Sequence, residues 1–212
     1  MGNETVANVF IIESLRFEDE DRGRFEGQIL QDILRLSEKQ STYYYIRTKR
    51  ELQKLAPKFG RSKHRYLHLS CHADAEGMAT TLDDVSFEEL GRIFRPHLSG
   101  RRVFLSACEM ATPILADALL GRESGCFSVI GPSAEVAFSD AALLWSSFYH
   151  LMFRTNESRM KRPWIKQHLQ SAADLFKVPM NYFYKMSPAA PVKLLQITPT
   201  VSVADGAARR AT

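Results

Sequence analysis

Two short apolar segments each end at a residue that can take part in covalent catalysis. Residues 66–71 lead directly into His72, and residues 102–107 lead directly into Cys108. A thiolate is a strong nucleophile, and an imidazole can accept the thiol proton and later protonate a leaving amine. The two residue types together predict acyl transfer through a covalent intermediate, provided that the fold places them side by side.

The rest of the chain alternates between strand-like and helix-like segments. Runs of β-branched and aromatic residues predict strands, and helical spacing or capping residues predict helices. The predicted strands cover residues 6–14, 41–47, 66–71, 102–107 and 127–131, and the predicted helices cover residues 25–38, 49–59, 86–94, 113–120, 139–153 and 163–176. This order predicts an α/β fold, a three-layer αβα sandwich around a mostly parallel central sheet.

The remaining segments are assigned from local composition. Residues 180–184 and 192–197 fit either an edge hairpin or an extended tail. The acidic residues 18–21 and the region around Gly77 predict loops. One domain is expected over residues 1–199, followed by a disordered tail at 200–212.

The strand before His72 and the strand before Cys108 are separated by one predicted helix. A strand–helix–strand crossover allows its two strands to lie close together, and ligands of open α/β sheets bind at the carboxyl ends of the strands. His72 and Cys108 are both expected at that edge. The backbone N–H groups of Ala73 and Cys108 lie where they could form an oxyanion hole.

The sequence Leu-His-Leu-Ser-Cys-His, ending at His72, is followed by Val-Phe-Leu-Ser-Ala-Cys-Glu at residues 103–109. Together these motifs resemble the caspase-like cysteine peptidases of clan CD, and they are most similar to the CHAT-domain branch. The resemblance extends over roughly residues 6–153. It implies a caspase-type αβα sandwich and an endopeptidase that needs no cofactor. It also implies that Cys108 is the nucleophile and that His72 is the general base and acid.

One position departs from the family pattern. The residue after the histidine is usually glycine, whereas this chain has Ala73, which keeps the N–H but restricts the backbone. Many relatives are held inactive until a partner releases them, and some act in bacterial defence or programmed cell death. The resemblance therefore implies a protein or peptide substrate and a separate regulator or sensor protein, or activation by cleavage at residues 121–125.

Several other interpretations of the same residues remain open. A cysteine at a strand end is often a small core residue, and this is the prediction for Cys71 and Cys126. His68, His72 and Asp74 suggest a metal site, but no further cluster with ligand spacing follows, and no metal is expected. A second hypothesis is a caspase-fold interaction module that has lost catalysis.

Acidic residues near the two motifs bear on substrate choice. Asp74, Glu109 and Asp140 are candidates for a pocket that binds Arg or Lys before the scissile bond. Each has an ordinary structural interpretation as well, since Asp140 falls in the first turn of a predicted helix, where acids are favoured.

Composition narrows the class of protein and of partner. The chain has 212 residues and a net charge of +4, and its basic residues are scattered, so no nucleic-acid groove is expected. No apolar run is long enough to span a bilayer, and the N-terminus lacks the pattern of a secretory signal. With 3 cysteines and no disulfide framework, the expected location is the cytoplasm.

Overall fold

The computed structural model describes residues 5–74, 76–121, 124–155 and 159–200. Within these ranges the chain forms one seven-stranded sheet with helices on both faces, and a small three-stranded sheet beside it. The predicted tail at 200–212 lies outside the described residues except for Thr200. Part of the proposed cleavage loop at 121–125 lies outside them as well.

The strands of the main sheet are β1 (Val6–Glu13), β2 (Ser41–Tyr45), β3 (His64–Ser70), β7 (Arg102–Ser106), β8 (Ser128–Pro132), β9 (Met180–Tyr184) and β10 (Lys193–Ile197). They lie side by side in the order β10-β9-β8-β7-β3-β1-β2. The pairs among β2, β1, β3, β7 and β8 are parallel, whereas β9 and β10 join as antiparallel strands. The segments at 180–184 and 192–197 are therefore an edge hairpin and not an extended tail.

The small sheet contains β4 (His72–Ala73), β5 (Gly77–Ala79) and β6 (Asp84–Ser86), all antiparallel. It follows β3 directly and precedes the crossover helix. The prediction of a loop around Gly77 was wrong, because Gly77 begins β5. Strands of two or three residues are too short to show an alternating pattern.

Helices cover both faces of the main sheet. They are α1 (Phe17–Asp21), α2 (Glu26–Leu36), α3 (Lys49–Arg61), α4 (Phe87–Phe94), α5 (Pro113–Leu120), α6 (Phe138–Thr155) and α7 (Arg162–Phe176). A short 3₁₀ turn at Arg95–His97 follows α4. The acidic segment at 18–21, expected as a loop, belongs to α1.

Two separate cores lie on the two faces of the sheet. Residues of α3, α4 and α5, such as Leu52, Phe94 and Leu115, pack on one face. Residues of α2, α6 and α7, such as Leu30, Trp145 and Leu169, pack on the other face. The predicted three-layer αβα sandwich is thus confirmed. None of the helices in the described ranges combines the length and apolar character needed to cross a membrane.

The crossover between β3 and β7 is set by local sequence. Ser86 caps α4 by accepting the Glu89 N–H, and the Glu89 carboxylate in turn accepts the Ser86 N–H. This reciprocal capping box fixes where the helix begins. The helix packs its apolar side on the sheet, so β7 returns to lie directly beside β3.

Candidate active site

The two strands that carry His72 and Cys108 are immediate neighbours. β3 and β7 pair in parallel from Tyr66 opposite Arg102 to Ser70 opposite Ser106. The pairing continues one residue further, because the Cys71 N–H donates to the Ser106 carbonyl at 3.2 Å. His72 and Cys108 therefore leave the sheet from equivalent positions at its carboxyl edge.

Cys108 lies in the turn between β7 and α5, and its side chain is half-buried. Its thiol donates to the Val136 carbonyl at 3.6 Å, and the Val136 N–H donates to the sulfur at 3.5 Å. Both contacts come from the backbone that precedes α6. The thiol is consequently held by the loop after β8 and remains partly open to solvent.

The other two cysteines have a different environment. Cys71 and Cys126 are buried in the core of the α3–α5 face, with 7% and 2% of their surface exposed. Burial raises the pKa of each thiol to about 12. Both stay protonated at neutral pH, which makes them unsuitable as nucleophiles.

His72 is oriented by a carboxylate that the sequence did not indicate. Its Nε2 lies 2.7 Å from Asp19 Oδ2, and Asp19 also accepts a hydrogen bond from Arg24 at 2.9 Å. Burial acts to raise the pKa of Asp19, but the hydrogen bond and charge of His72, together with Arg24, hold that pKa below its usual value. Asp19 is therefore an anion, and Nε2 carries the ring hydrogen.

This tautomer leaves Nδ1 of a neutral His72 ring as the proton acceptor. The ring also packs edge-on against Phe138, with the ring centres 5.4 Å apart. Among the described residues no hydrogen bond joins the ring to the Cys108 sulfur. The ring bonds to Asp19 through Nε2, and the sulfur bonds to the backbone of Val136. The geometry thus provides an oriented imidazole and a separately held thiol at one edge of the sheet.

Ala73 presents its backbone N–H away from the small sheet. Asp74 donates its N–H to the Gly77 carbonyl at 3.1 Å, which makes Asp74 and Gly77 a hydrogen-bonded pair. Because such pairs alternate in an antiparallel ladder, Ala73 opposite Met78 is a non-hydrogen-bonded pair, and its N–H points outward. Ala73 does not adopt a positive φ, so its methyl group introduces no left-handed strain.

The turn that follows Cys108 has an unusual backbone. Glu109 adopts φ +52°, a left-handed conformation that costs energy for a residue with a side chain. Its side chain is exposed. Within the described residues the Cys108 N–H has no hydrogen-bond acceptor. The turn thus leaves this N–H unpaired beside the thiol.

A cleft of about 360 Å³ opens beside His72 and Ala73 over the small sheet. Its charged lining is mainly acidic and includes Asp74, Glu76 and Asp84, with Arg16 as the basic member. Of the three predicted substrate-binding acids, Asp74 alone lines this cleft. Glu109 and Asp140 lie outside it, the latter in the first turn of α6.

Asp74 also has a structural role. Its carboxylate accepts the N–H groups of Glu76 and Gly77 at 2.8 and 3.0 Å, and these bonds hold its pKa below the usual value. The carboxylate therefore closes the β4–β5 hairpin. It is a fixed negative charge at one wall of the cleft.

His68 does not join His72 in a metal site. Its side chain is fully buried, and Nδ1 lies 3.3 Å from the Tyr149 hydroxyl. No group of three His, Cys, Asp or Glu side chains in the described ranges is arranged to hold a metal ion. His68 is thus a core residue.

Two buried carboxyl groups lie beneath this edge of the sheet. Glu13 ends β1 with none of its surface exposed, and Glu26 begins α2 with 3% exposed. Glu13 accepts hydrogen bonds from the Gly27 N–H and the Tyr43 hydroxyl, both at 2.7 Å. Glu13 falls within the predicted first strand and Glu26 within the predicted first helix, but nothing in an acidic residue's local sequence marks its side chain as internal.

Asp19 was missed for a similar reason. α1 has five residues, fewer than are needed for a helical period to be visible, and Asp19 stands among other acids at 18–21. Its position opposite His72 arises from tertiary structure. A search for an acidic residue shortly after the first strand would have found a stretch of candidates without distinguishing them.

No protein-family model matches the chain, and no curated protein sequence matches it. Among solved structures, the fold is similar to the X-ray structure of a secreted C11 cysteine protease from Bacteroides thetaiotaomicron, "iotapain". The TM-score is 0.55, the sequence identity is 10%, and the similarity covers 85% of this chain and 66% of that one, slightly less than two thirds of its length. The chain therefore has the caspase-like α/β fold that its two motifs predicted.

Proposed function

We propose that the chain is a cysteine endopeptidase with Cys108 as nucleophile and His72 as general base and acid. The observation that carries the proposal is the parallel pairing of β3 and β7, which brings the two motif ends to one edge of the sheet. The half-buried thiol and the similarity to a cysteine protease structure add support.

The proposed reaction uses these groups in two stages, acylation of the thiol and hydrolysis of the thioester. His72 Nδ1 takes the Cys108 proton, and the thiolate attacks the carbonyl carbon of the scissile bond. The Ala73 and Cys108 N–H groups stabilise the oxyanion, and His72 then protonates the leaving amine. Water, deprotonated by His72, hydrolyses the thioester and releases the thiol. Asp19 holds the ring and stabilises the imidazolium that forms twice in the cycle.

The acidic cleft suggests the preferred substrate. Asp74, Glu76 and Asp84 place negative charge beside His72, so an Arg or Lys side chain before the scissile bond is the complementary residue. Within the same proposal, the Ser-Ala-Cys-Glu motif assigns the chain to the CHAT branch. That assignment implies a regulated effector, active in bacterial defence or programmed cell death, with a separate regulator or sensor protein.

The test is cleavage profiling against a peptide library with wild type and Cys108→Ala. We expect Cys108→Ala to lower kcat/KM by roughly a thousandfold or more, because the acyl-enzyme of the proposed mechanism forms on the Cys108 sulfur. Cys126→Ala is the matched control, since it removes a core cysteine from the same chain. Retention of cleavage by Cys108→Ala would exclude this mechanism.

A second candidate function is a caspase-fold interaction module without catalysis. It is favoured by one observation: the His72 ring bonds to Asp19 and no hydrogen bond links it to the thiol. The rate at which iodoacetamide alkylates Cys108 distinguishes the two functions. A peptidase requires His72→Ala to slow this alkylation at neutral pH, whereas equal rates favour the interaction module.

A further inference from the structure

The carboxylate of Glu26 contacts both of the strands that lead into the candidate dyad. The Ser106 hydroxyl lies 2.6 and 2.7 Å from the two Glu26 oxygens, and the Ser70 hydroxyl donates to Oε2 at 3.0 Å. All three side chains are buried, with at most 4% of their surface exposed. One carboxylate thus links the last residue of β3 to the last residue of β7.

These two serines occupy equivalent positions in the sheet. Ser70 and Ser106 are direct partners in the parallel register of β3 and β7. In each strand one residue separates the serine from the reactive group: Cys71 before His72, and Ala107 before Cys108. Any shift of one strand end relative to the other therefore changes the position of the imidazole relative to the thiol.

Glu26 is itself held in place by the packing of α2. The next residue, Gly27, donates its N–H to Glu13 Oε1 at 2.7 Å. A Cβ at Gly27 would lie 3.0 Å from Ile11 Cγ2 and 3.2 Å from the Glu13 Cβ. This close approach favours glycine and packs the start of α2 against β1. The position of Glu26 relative to the sheet is therefore set by α2 and β1.

A carboxylate in the core is costly unless hydrogen bonds compensate for lost hydration. We propose that Glu26 is a positioning residue, a buried clamp that holds the ends of β3 and β7, and with them His72 and Cys108, in a fixed relative position. The inference rests on the proposed function in so far as the dyad is catalytic. Glu26 itself touches neither reactive group among the contacts described.

The clamp predicts an effect on the chemical step. Displacement of reacting groups by about 1 Å can cost roughly a hundredfold in rate. Loss of one hydroxyl frees one strand end from Glu26 while the other stays bound, so each single change removes the side-chain link between the ends and leaves the backbone bond from the Cys71 N–H to the Ser106 carbonyl. Removing the second hydroxyl then has little further effect, because the side-chain link is already lost. The losses of kcat in the two single variants are therefore not additive in the double variant.

The experiment uses Ser70→Ala, Ser106→Ala and the double variant in the full chain. Serine and alanine have nearly the same volume, so these changes delete a hydroxyl without opening a cavity. Ser124→Ala is the matched control, because Ser124 is 1% exposed and its hydroxyl bonds to the Leu119 carbonyl, away from the dyad. The readouts are kcat and KM for the best library peptide, the rate of alkylation of Cys108 by iodoacetamide, and amide hydrogen exchange.

We expect kcat to fall about tenfold in each single variant and by a similar factor in the double variant, with KM nearly unchanged. Alkylation slows in parallel. Amide exchange rises in residues 72–74 and 108–110 and stays unchanged elsewhere. Ser124→Ala leaves kcat, alkylation and the exchange of residues 72–74 and 108–110 unchanged, and its own effect on exchange is expected at the Cys126 N–H, which donates to the Ser124 hydroxyl at 3.2 Å.

Unchanged exchange in these two segments, in both single variants, would overturn the clamp whatever the activity shows. Additive losses of kcat would overturn it as well, since two independent sites would then be involved. Failure of the proposed function has a different signature. In that case wild type cleaves no peptide, while exchange still rises in the serine variants and the clamp stands.

Discussion

Glu13 lies at the end of β1 with its carboxyl group enclosed beneath α2. Burial raises its pKa from 4.5 to about 7, helped by the charge of Glu26 and opposed by hydrogen bonds from Gly27, Tyr43 and Ser70. The folded protein therefore holds a proton on Glu13 over a pH range in which the unfolded chain does not. This difference makes the stability of the fold depend on pH.

The sign and size follow from linkage between protonation and folding. The neutral carboxyl group is compatible with burial. The stabilisation of the folded state that results from its raised pKa is therefore complete below about pH 4.5 and is lost as the pH rises through about 7. Since one pKa unit corresponds to about 1.4 kcal/mol, raising the pH from about 5 to about 8 should cost wild type about 2.5 kcal/mol through this group. Glu13→Gln cannot ionise and escapes this loss.

The assay is urea unfolding followed by tryptophan fluorescence, for wild type and Glu13→Gln at both pH values. The informative quantity is the change with pH in the difference between their free energies of unfolding, because all other titrating groups cancel. Glu13→Gln should gain about 2.5 kcal/mol relative to wild type on going to the higher pH. Glu88→Gln, an exposed change, should follow wild type.

Two results would refute this reasoning. Parallel stability curves for wild type and Glu13→Gln would mean that the carboxyl group titrates alike in the folded and unfolded states. If the free energy of unfolding of wild type instead rose relative to that of Glu13→Gln at the higher pH, hydrogen bonds to the Glu13 anion would outweigh the cost of its burial.

Three further changes test the site. Asp19→Asn should lower kcat by roughly a hundredfold with little change in KM, because an amide no longer selects the reactive tautomer of the imidazole. Glu18→Gln, a change at an exposed neighbouring residue, should have no effect in the same peptide assay. Gly77→Ala should disrupt the small sheet, because a Cβ at this position would overlap the Val85 carbonyl. Amide hydrogen exchange across β4–β6 should then become faster, and unchanged exchange would contradict the prediction. Asp74→Asn should raise KM for peptides with Arg before the scissile bond and leave KM unchanged for peptides with a neutral residue there. An equal rise in KM for both kinds of peptide would contradict the proposal that the cleft prefers a basic residue.

The sequence was sufficient for the main architecture because the long elements bury one face or both. β1 and β3 are rich in large apolar residues, and the capping box at Ser86 marks the start of the crossover helix. These local signals place β3 beside β7. They also place the two reactive residues at one edge of the sheet, as the motif order indicated.

What the sequence could not predict depends on contacts between distant segments. Asp19 meets His72, and Glu26 meets Ser106, through packing that no short window of residues encodes. The left-handed backbone at Glu109 is equally hidden, since glutamate gives no indication of a positive φ. The catalytic roles of His72 and Cys108, and the oxyanion roles of Ala73 and Cys108, remain predictions for the experiments above.

The contact of Glu26 with Ser70 and Ser106 has a consequence for how this sequence can diverge. The Ser106 hydroxyl bonds to Glu26, and the Ser70 hydroxyl lies nearer to Glu26 at 3.0 Å than to Glu13 at 3.4 Å. A buried hydroxyl or carboxylate left without its partner costs about 1–3 kcal/mol. Substitutions at positions 26, 70 and 106 should therefore be tolerated jointly rather than one at a time. Among distant homologues, the identities at these three positions are expected to change together, as an apolar set or as a hydrogen-bonded set.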